Sequence, residues 1–192
     1  GEKLFTGIDF FALTAVPLFI LTGDLLVRTG LSRKFLDVAE ALTQFAKGGF
    51  GSATVLVCGM FAAISGSDAA GAAAVGRMTI DRLVESGYPR PYACALVAAG
   101  ACTGILIPPS IAYIIIGLVL GISASTLFLA AVIPGLTILV SILATNIIMN
   151  RLNGWEGGGN FPMSEYFTRL WASLKSGWYA FLVPGIIFYG IF

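Results

Sequence analysis

Residues 8–27, IDFFALTAVPLFILTGDLLV, form a nearly unbroken apolar block. A helix needs about 20 such residues to cross a bilayer, so the block predicts a spanning helix, kinked at Pro17. Asp24 sits near its far end, where a structural role fits an interface. Residues 31–46 change pattern. Phe35, Val38, Ala39, Leu42 and Phe45 fall on one stripe, with Arg33, Asp37, Glu40 and Gln44 opposite. That spacing predicts an amphipathic helix lying along the membrane surface, with Ser32 as its N-cap. Glycines at 48, 49 and 51 then break the chain.

Residues 51–76 are apolar and small, and Arg77, Asp81, Arg82, Glu85 and Arg90 follow. A second long apolar region, Pro91 to Leu120, is interrupted by Gly104-Ile105-Leu106-Ile107-Pro108-Pro109-Ser110. Two successive prolines do not fit a regular helix interior, so two half-helices with an unwound joint are expected. Residues 126–149 predict a plain spanning helix containing Pro134. Asn150 to Asn160 read as a polar, Gly-rich loop. Residues 163–175 predict a second surface helix, through Phe167, Leu170, Trp171 and Leu174, and a last apolar helix starts near Trp178. Gly100/Gly104 and Gly117/Gly121 read as helix-packing pairs.

Charge decides how 51–76 sits. If this segment crossed fully, Arg77, Arg82 and Arg90 would lie on the far side from Arg28, Arg33, Lys34 and Lys47. If it turns back at Ser65-Gly66-Ser67, every Lys and Arg except Lys3 shares the cytoplasmic side, as the positive-inside rule asks. The connection 122–125 holds no Lys or Arg and suits the outer side. Length agrees: Gly51 to Ser65 spans about 22 Å as a helix, short of a hydrocarbon core about 30 Å thick. The expectation is a re-entrant hairpin over 51–86 and a broken helix over 91–121.

Composition supports a membrane-embedded class. The apolar share is 57% and the charged share only 11%, under half the charge of an ordinary soluble chain, about 25%. Net charge is +1 with no basic tract, so nucleic acid is not an expected partner. Histidine is absent, which removes His bases, His relays and the usual zinc sets. Neither paired intramembrane acids nor a Ser-Lys pair is found, so an enzyme is not expected. Cys58, Cys94 and Cys102 match no metal or redox spacing and read as small packing residues. The chain opens without a signal-peptide pattern and ends within an apolar run, which reads as part of something longer.

The chemistry follows from helix ends. A half-helix that stops in mid-membrane offers unpaired carbonyls, which suit a small cation; one that starts there offers unpaired amides, which suit a carboxylate. The first could use carbonyls near Ile64 and Ser65, the second amides around Asp68 and Ala69. Ser65, Ser67, Thr103 and Ser110 could add hydroxyls, and Gly104, Leu106 and Ile107 could add carbonyls. Each feature also has a plainer reading. Ser65 and Ser67 can simply cap a helix, Pro108-Pro109 can be a packing kink, Asp68 can cap or pair, and Thr103 can be a packing hydroxyl. An intramembrane acid is nonetheless a functional candidate.

Several runs resemble one family. Phe61-Ala62-Ala63-Ile64-Ser65-Gly66-Ser67, the Ala-rich helix after it, Gly87-Tyr88, and Gly104-Ile105-Leu106-Ile107-Pro108-Pro109-Ser110 resemble the large membrane subunit of tripartite ATP-independent periplasmic (TRAP) transporters. Pro17 to Leu21 with Gly23, and Phe128-Leu129-Ala130 with Pro134-Gly135, resemble it too. The resemblance implies an all-α integral membrane protein, half of an elevator-type secondary transporter with two inverted repeats. It divides the chain into a scaffold helix and arm (1–50), a transport-type core (51–121), and a spanning helix, loop, amphipathic helix and further helix (122–192). It implies Na⁺-coupled uptake of an organic acid, a carboxylate or sugar acid, delivered by a periplasmic binding protein. The setting would be a bacterial inner membrane, crossed several times. The implied partners are the lipid bilayer, a small membrane subunit and the missing C-terminal half of the same subunit.

The implied sodium-site residues are Ser65, Gly66, Ser67, Thr103, Gly104 and Pro108. The implied substrate-site residues are Ser67, Asp68, Pro109 and Ser110. Two positions depart from the family's pattern: Asp68 stands where a small residue is usual, and Gly71 where a polar one often stands. The alternatives are another hairpin-bearing carrier, such as one related to divalent-anion/sodium symporters, and a structural membrane subunit that transports nothing.

Overall fold

A computed structural model of the chain describes residues 11–43 and 48–157, with scattered positions between 171 and 189. The start of the first predicted helix, Phe45 of the amphipathic stripe, and most of the surface helix at 163–175 and of the last helix lie outside the described residues. All regular elements among the described residues are helices.

Helix α1 covers Phe11–Arg28 and keeps Pro17 inside it. Helix α2 covers Leu31–Thr43. It begins one residue before Ser32, so Gly30, not Ser32, precedes its first turn. The buried face of α2 is Phe35, Leu36, Val38, Ala39 and Ala41, while Leu42 is 40% exposed. The face is therefore rotated from the predicted stripe, because α2 packs on other helices rather than only on a flat surface.

Helix α3, Gly49–Ser65, is the centre of the molecule. It is apolar all round, with Ala53, Val55, Val57, Cys58, Phe61 and Ile64 fully buried. Such a helix must be enclosed by others, and α3 packs against α1, α2, α4, α5 and α7. Helix α4, Asp68–Glu85, returns alongside α3 after only two residues and buries Ala74, Val75, Thr79 and Leu83. Leu83 and Tyr88 join the core formed by α2, α3 and α5.

Helix α5 spans Arg90–Ala101, with Pro91 in its first turn, where a missing amide costs little. A short 3-10 turn, Cys102–Gly104, extends it. Helix α6, Ile111–Leu120, starts after Ser110. The α-helix thus ends two residues earlier than an interruption beginning at Gly104 predicts. Gly100 meets Cys58 across the α3–α5 contact, where an added Cβ would lie 3.0 Å from the Cys58 Cβ. Gly121 has nothing within 4 Å and closes α6 in the left-handed conformation, so it is a cap and not a packing residue. Of the three cysteines, Cys58 is buried but Cys94 and Cys102 are exposed, contrary to a packing role for all three.

Helix α7 runs from Ala124 to Asn153, a 30-residue helix. It is the one described helix long and apolar enough to cross a membrane by itself. Residues 150–153 are helical rather than loop, and the chain turns only at Gly154. Much of the outer surface is apolar: Val119 is 76% exposed and Ile133 is 75% exposed. Exposed apolar patches of this kind fit a lipid-facing exterior.

Candidate functional site

The tip of the α3–α4 hairpin is built by three residues. Ser65 ends α3, Gly66 turns the chain at φ +60°, and Ser67 caps α4. Only a residue without Cβ adopts that turn cheaply. The Ser67 hydroxyl accepts a long bond from the Ala70 amide at 3.5 Å. The Ser65 hydroxyl accepts from the Ser67 amide at 3.4 Å and donates to the Ser67 carbonyl at 3.3 Å. Both serines therefore do cap the tip. Helix α1 crosses here: a Cβ on Gly23 would lie 3.0 Å from that of Ser65.

The tip meets the α5–α6 joint backbone to backbone. A Cβ on Gly66 would fall 2.9 Å from the Pro109 carbonyl oxygen and 3.3 Å from the Ile111 amide. Those two atoms flank Ser110, which is fully buried and whose Oγ has no partner. Ser110 precedes α6 without forming a side-chain cap bond. The Asp68 carboxylate faces the backbone amide of Ile105 at the other end of the joint. Its Oδ1 is buried and unpartnered. Two unsatisfied oxygens thus border the contact between tip and joint, and buried polar atoms rarely stay unpaired. Gly66, Ser67, Asp68, Pro109 and Ser110 come together, with Ser65 beside them.

Other sequence candidates fare differently. The Thr103 hydroxyl donates to the Gly100 carbonyl at 2.6 Å, within its own helix. Its carbonyl accepts from the Leu106 and Ile107 amides at 3.0 and 2.8 Å. Thr103 therefore helps hold the joint's fold, while its hydroxyl oxygen, which only donates here, keeps its lone pairs. Gly104 and Pro108 are buried within the joint. The Leu106 carbonyl lies against α7, where a Cβ on Gly135 would be 3.1 Å from its oxygen. The residue after Pro134 is thus one that lets the joint's backbone approach. Asp24 bonds Arg28 one turn along α1 at 2.7 Å, a local ion pair.

A second polar cluster, which the sequence did not reveal, lies at the opposite end of α3. Glu156 accepts from the Phe50 amide at 2.8 Å, the Gly51 amide at 3.4 Å and the Tyr88 hydroxyl at 3.0 Å. A carboxylate at a helix N-terminus satisfies free amides and opposes the positive end of the helix dipole. Asn150 holds Glu156 through both backbone atoms, at 2.7 and 2.8 Å. Asn146 donates to the Gly48 carbonyl at 3.3 Å and the Ser52 hydroxyl at 3.1 Å. Trp155 packs on Tyr92 and Tyr88, with ring centres 4.6 and 5.4 Å away. Burial, and then the Glu156 charge, hold the Tyr88 hydroxyl above the usual phenol range. The available signal was Asn146 and Asn150, one turn apart near the end of a mostly apolar helix.

A membrane-type protein, all helical among the described residues, in which the α3–α4 turn meets the α5–α6 connection backbone to backbone is the class defined here. The profile of the family described as "Tripartite ATP-independent periplasmic transporter, DctM component" matches residues 1–192. The chain belongs to that family. It is 35% identical over its whole length to the isethionate TRAP transporter permease protein DctMQ of Oleidesulfovibrio alaskensis, covering 30% of that protein. It is 34% identical to the C4-dicarboxylate TRAP transporter large permease protein DctM of Pseudomonas aeruginosa, over 99% of this chain and 44% of that one. It is 32% identical to the sialic acid TRAP transporter large permease protein SiaM of Vibrio cholerae, over 100% of this chain and 44% of that one. The chain spans less than half the length of these relatives, all of which are transport permeases and not enzymes.

Proposed function

We propose that this chain forms the N-terminal part of the membrane core of a secondary transporter that takes up an organic acid with Na⁺. In this reading α3 and α4 are a re-entrant hairpin, and α5 and α6 are the two halves of one broken spanning helix. The hairpin and broken helix move as part of an elevator. A periplasmic binding protein delivers the acid, and a small membrane subunit and a C-terminal half complete the machine in the bacterial inner membrane.

One observation carries the reading: Gly66 lies against the Pro109 carbonyl and the Ile111 amide, with the Ser110 Oγ and Asp68 Oδ1 left unpartnered beside that contact. Helix ends of opposite polarity meet there, and such ends are what discontinuous helices offer to ions and carboxylates. Ser65, Gly66, Ser67, Thr103, Gly104 and Pro108 would border the ion, and Ser67, Asp68, Pro109 and Ser110 the acid. Thr103 would also support the joint through its carbonyl.

Uptake into proteoliposomes by the full-length permease, its small subunit and its binding protein should require an inward Na⁺ gradient. A K⁺ or proton gradient that drives equal uptake would defeat the coupling. Ser65→Ala and Ser67→Ala should shift the Na⁺ dependence and leave assembly intact; an unchanged dependence in both would favour a purely structural role.

A further inference from the structure

We infer that the site accepts a small zwitterion, an acid that also carries an ammonium group, and that Asp68 selects the ammonium. The inference rests on the transporter reading above. Two helices begin at the tip-joint contact, and the sequence gives their N-termini opposite characters. Helix α4 carries Asp68 as its first residue. Its carboxylate offsets the positive end of α4, so that end no longer favours a second anion. Helix α6 has no acidic residue in its first turn, and the Ser110 side chain before it makes no cap bond. Its end keeps the character that attracts a carboxylate.

Ser110 is fully buried and its Oγ is unpartnered. It supplies a hydroxyl beside the free amides of α6, a donor set that suits a carboxylate oxygen. Asp68 is only partly buried, but its Oδ1 is enclosed and unpartnered, and no Lys or Arg forms an ion pair with it among the described residues. A carboxylate in that position favours a cationic centre beside it. Gly66 joins the two ends, since it sits next to the α4 cap and a Cβ added to it would meet the Pro109 oxygen and the Ile111 nitrogen on either side of Ser110. One end of the site therefore fits an acid group and the other an ammonium.

Two probes separate the possibilities: 3-aminopropanoate, and 3-hydroxypropanoate, which replaces the ammonium with a hydroxyl. Thermal stabilisation of the full-length permease in lipid nanodiscs is measured with each, in Na⁺ and in K⁺. Half-maximal stabilisation in Na⁺ should need about tenfold less 3-aminopropanoate than 3-hydroxypropanoate, and Asp68→Asn should erase that preference. Propylamine, which lacks the carboxylate, should bind weakly, and Ser110→Ala should weaken the amino acid. Equal response to both acids, a preference that survives Asp68→Asn, or propylamine matching the amino acid would overturn the inference. So would a wild type that responds to no probe. Stabilisation by Na⁺ alone reports separately on the ion. If it persists without an ammonium preference, the coupling reading stands and the zwitterion is wrong; if Na⁺ and K⁺ act alike, the coupling reading itself fails.

Discussion

Gly66 is the residue on which the tip depends, for two separate reasons. Its φ of +60° is one an L-residue adopts only with strain, and its missing Cβ leaves room for the Pro109 carbonyl. Gly121 shares the left-handed conformation, φ +67°, but has open space around it. Gly66→Ala should therefore destabilise the protein by about 2–3 kcal/mol and Gly121→Ala by about 1 kcal/mol. Unfolding of the two variants in the same detergent would show this. Equal losses would mean that the tip-joint contact adds nothing to the strain. The Ser-Gly-Ser turn and the Pro-Pro joint were legible in the sequence because Gly and Pro act through local backbone geometry. The hydrogen bonds of Thr103 to the Gly100 carbonyl and from the Leu106 and Ile107 amides were not, because a string of letters does not show which carbonyls and amides a turn brings within reach.

At the scale of elements, the base of α3 is fixed by the end of α7. Glu156 closes the helix start, and the Tyr88 hydroxyl is one of its three donors. The folded protein holds the Tyr88 proton more tightly than an exposed phenol does. In the unfolded chain that proton leaves near pH 10. Above that value the folded state binds more protons than the unfolded one, so stability falls as pH rises. The contribution is complete below about pH 10 and is lost above it. Tyr88→Phe should flatten the alkaline decline in melting temperature between about pH 10 and 12. An unchanged slope would show that Tyr88 ionises as freely in the folded protein as in the unfolded one. The sequence predicted a loose loop at 150–160 because its composition is polar and Gly-rich. Only contacts with residues about a hundred positions away turn Glu156 into a cap.

For the whole molecule, the topology is open to direct test. Charge counting places the α4–α5 connection and the end of α7 on one side and the α6–α7 connection on the other. In a cysteine-free background, single cysteines at Ser86 and Gly154 should react with an impermeant maleimide from the cytoplasmic side alone. A cysteine at Ser123 should react from the periplasmic side alone. A further cysteine at Thr29, before α3, should react from the same side as Ser86, and labelling of Thr29 and Ser86 from opposite sides would break the hairpin reading. The docking of Trp155 on Tyr88 and Tyr92 already brings the first two connections to one end of the bundle.

The sequence alone determined the membrane class, the turn at Gly66, the interruption before Ser110 and the long helix through Pro134. These follow from hydrophobic run length and from backbone limits that Gly and Pro impose on their immediate neighbours. Tertiary structure alone decided which face of α2 is buried, which way the Leu106 carbonyl turns, and which oxygens at the tip stay unpaired. It also decided that Glu156 reaches the start of α3. Those outcomes depend on the approach of segments far apart in the chain, and local sequence carries no term for that approach.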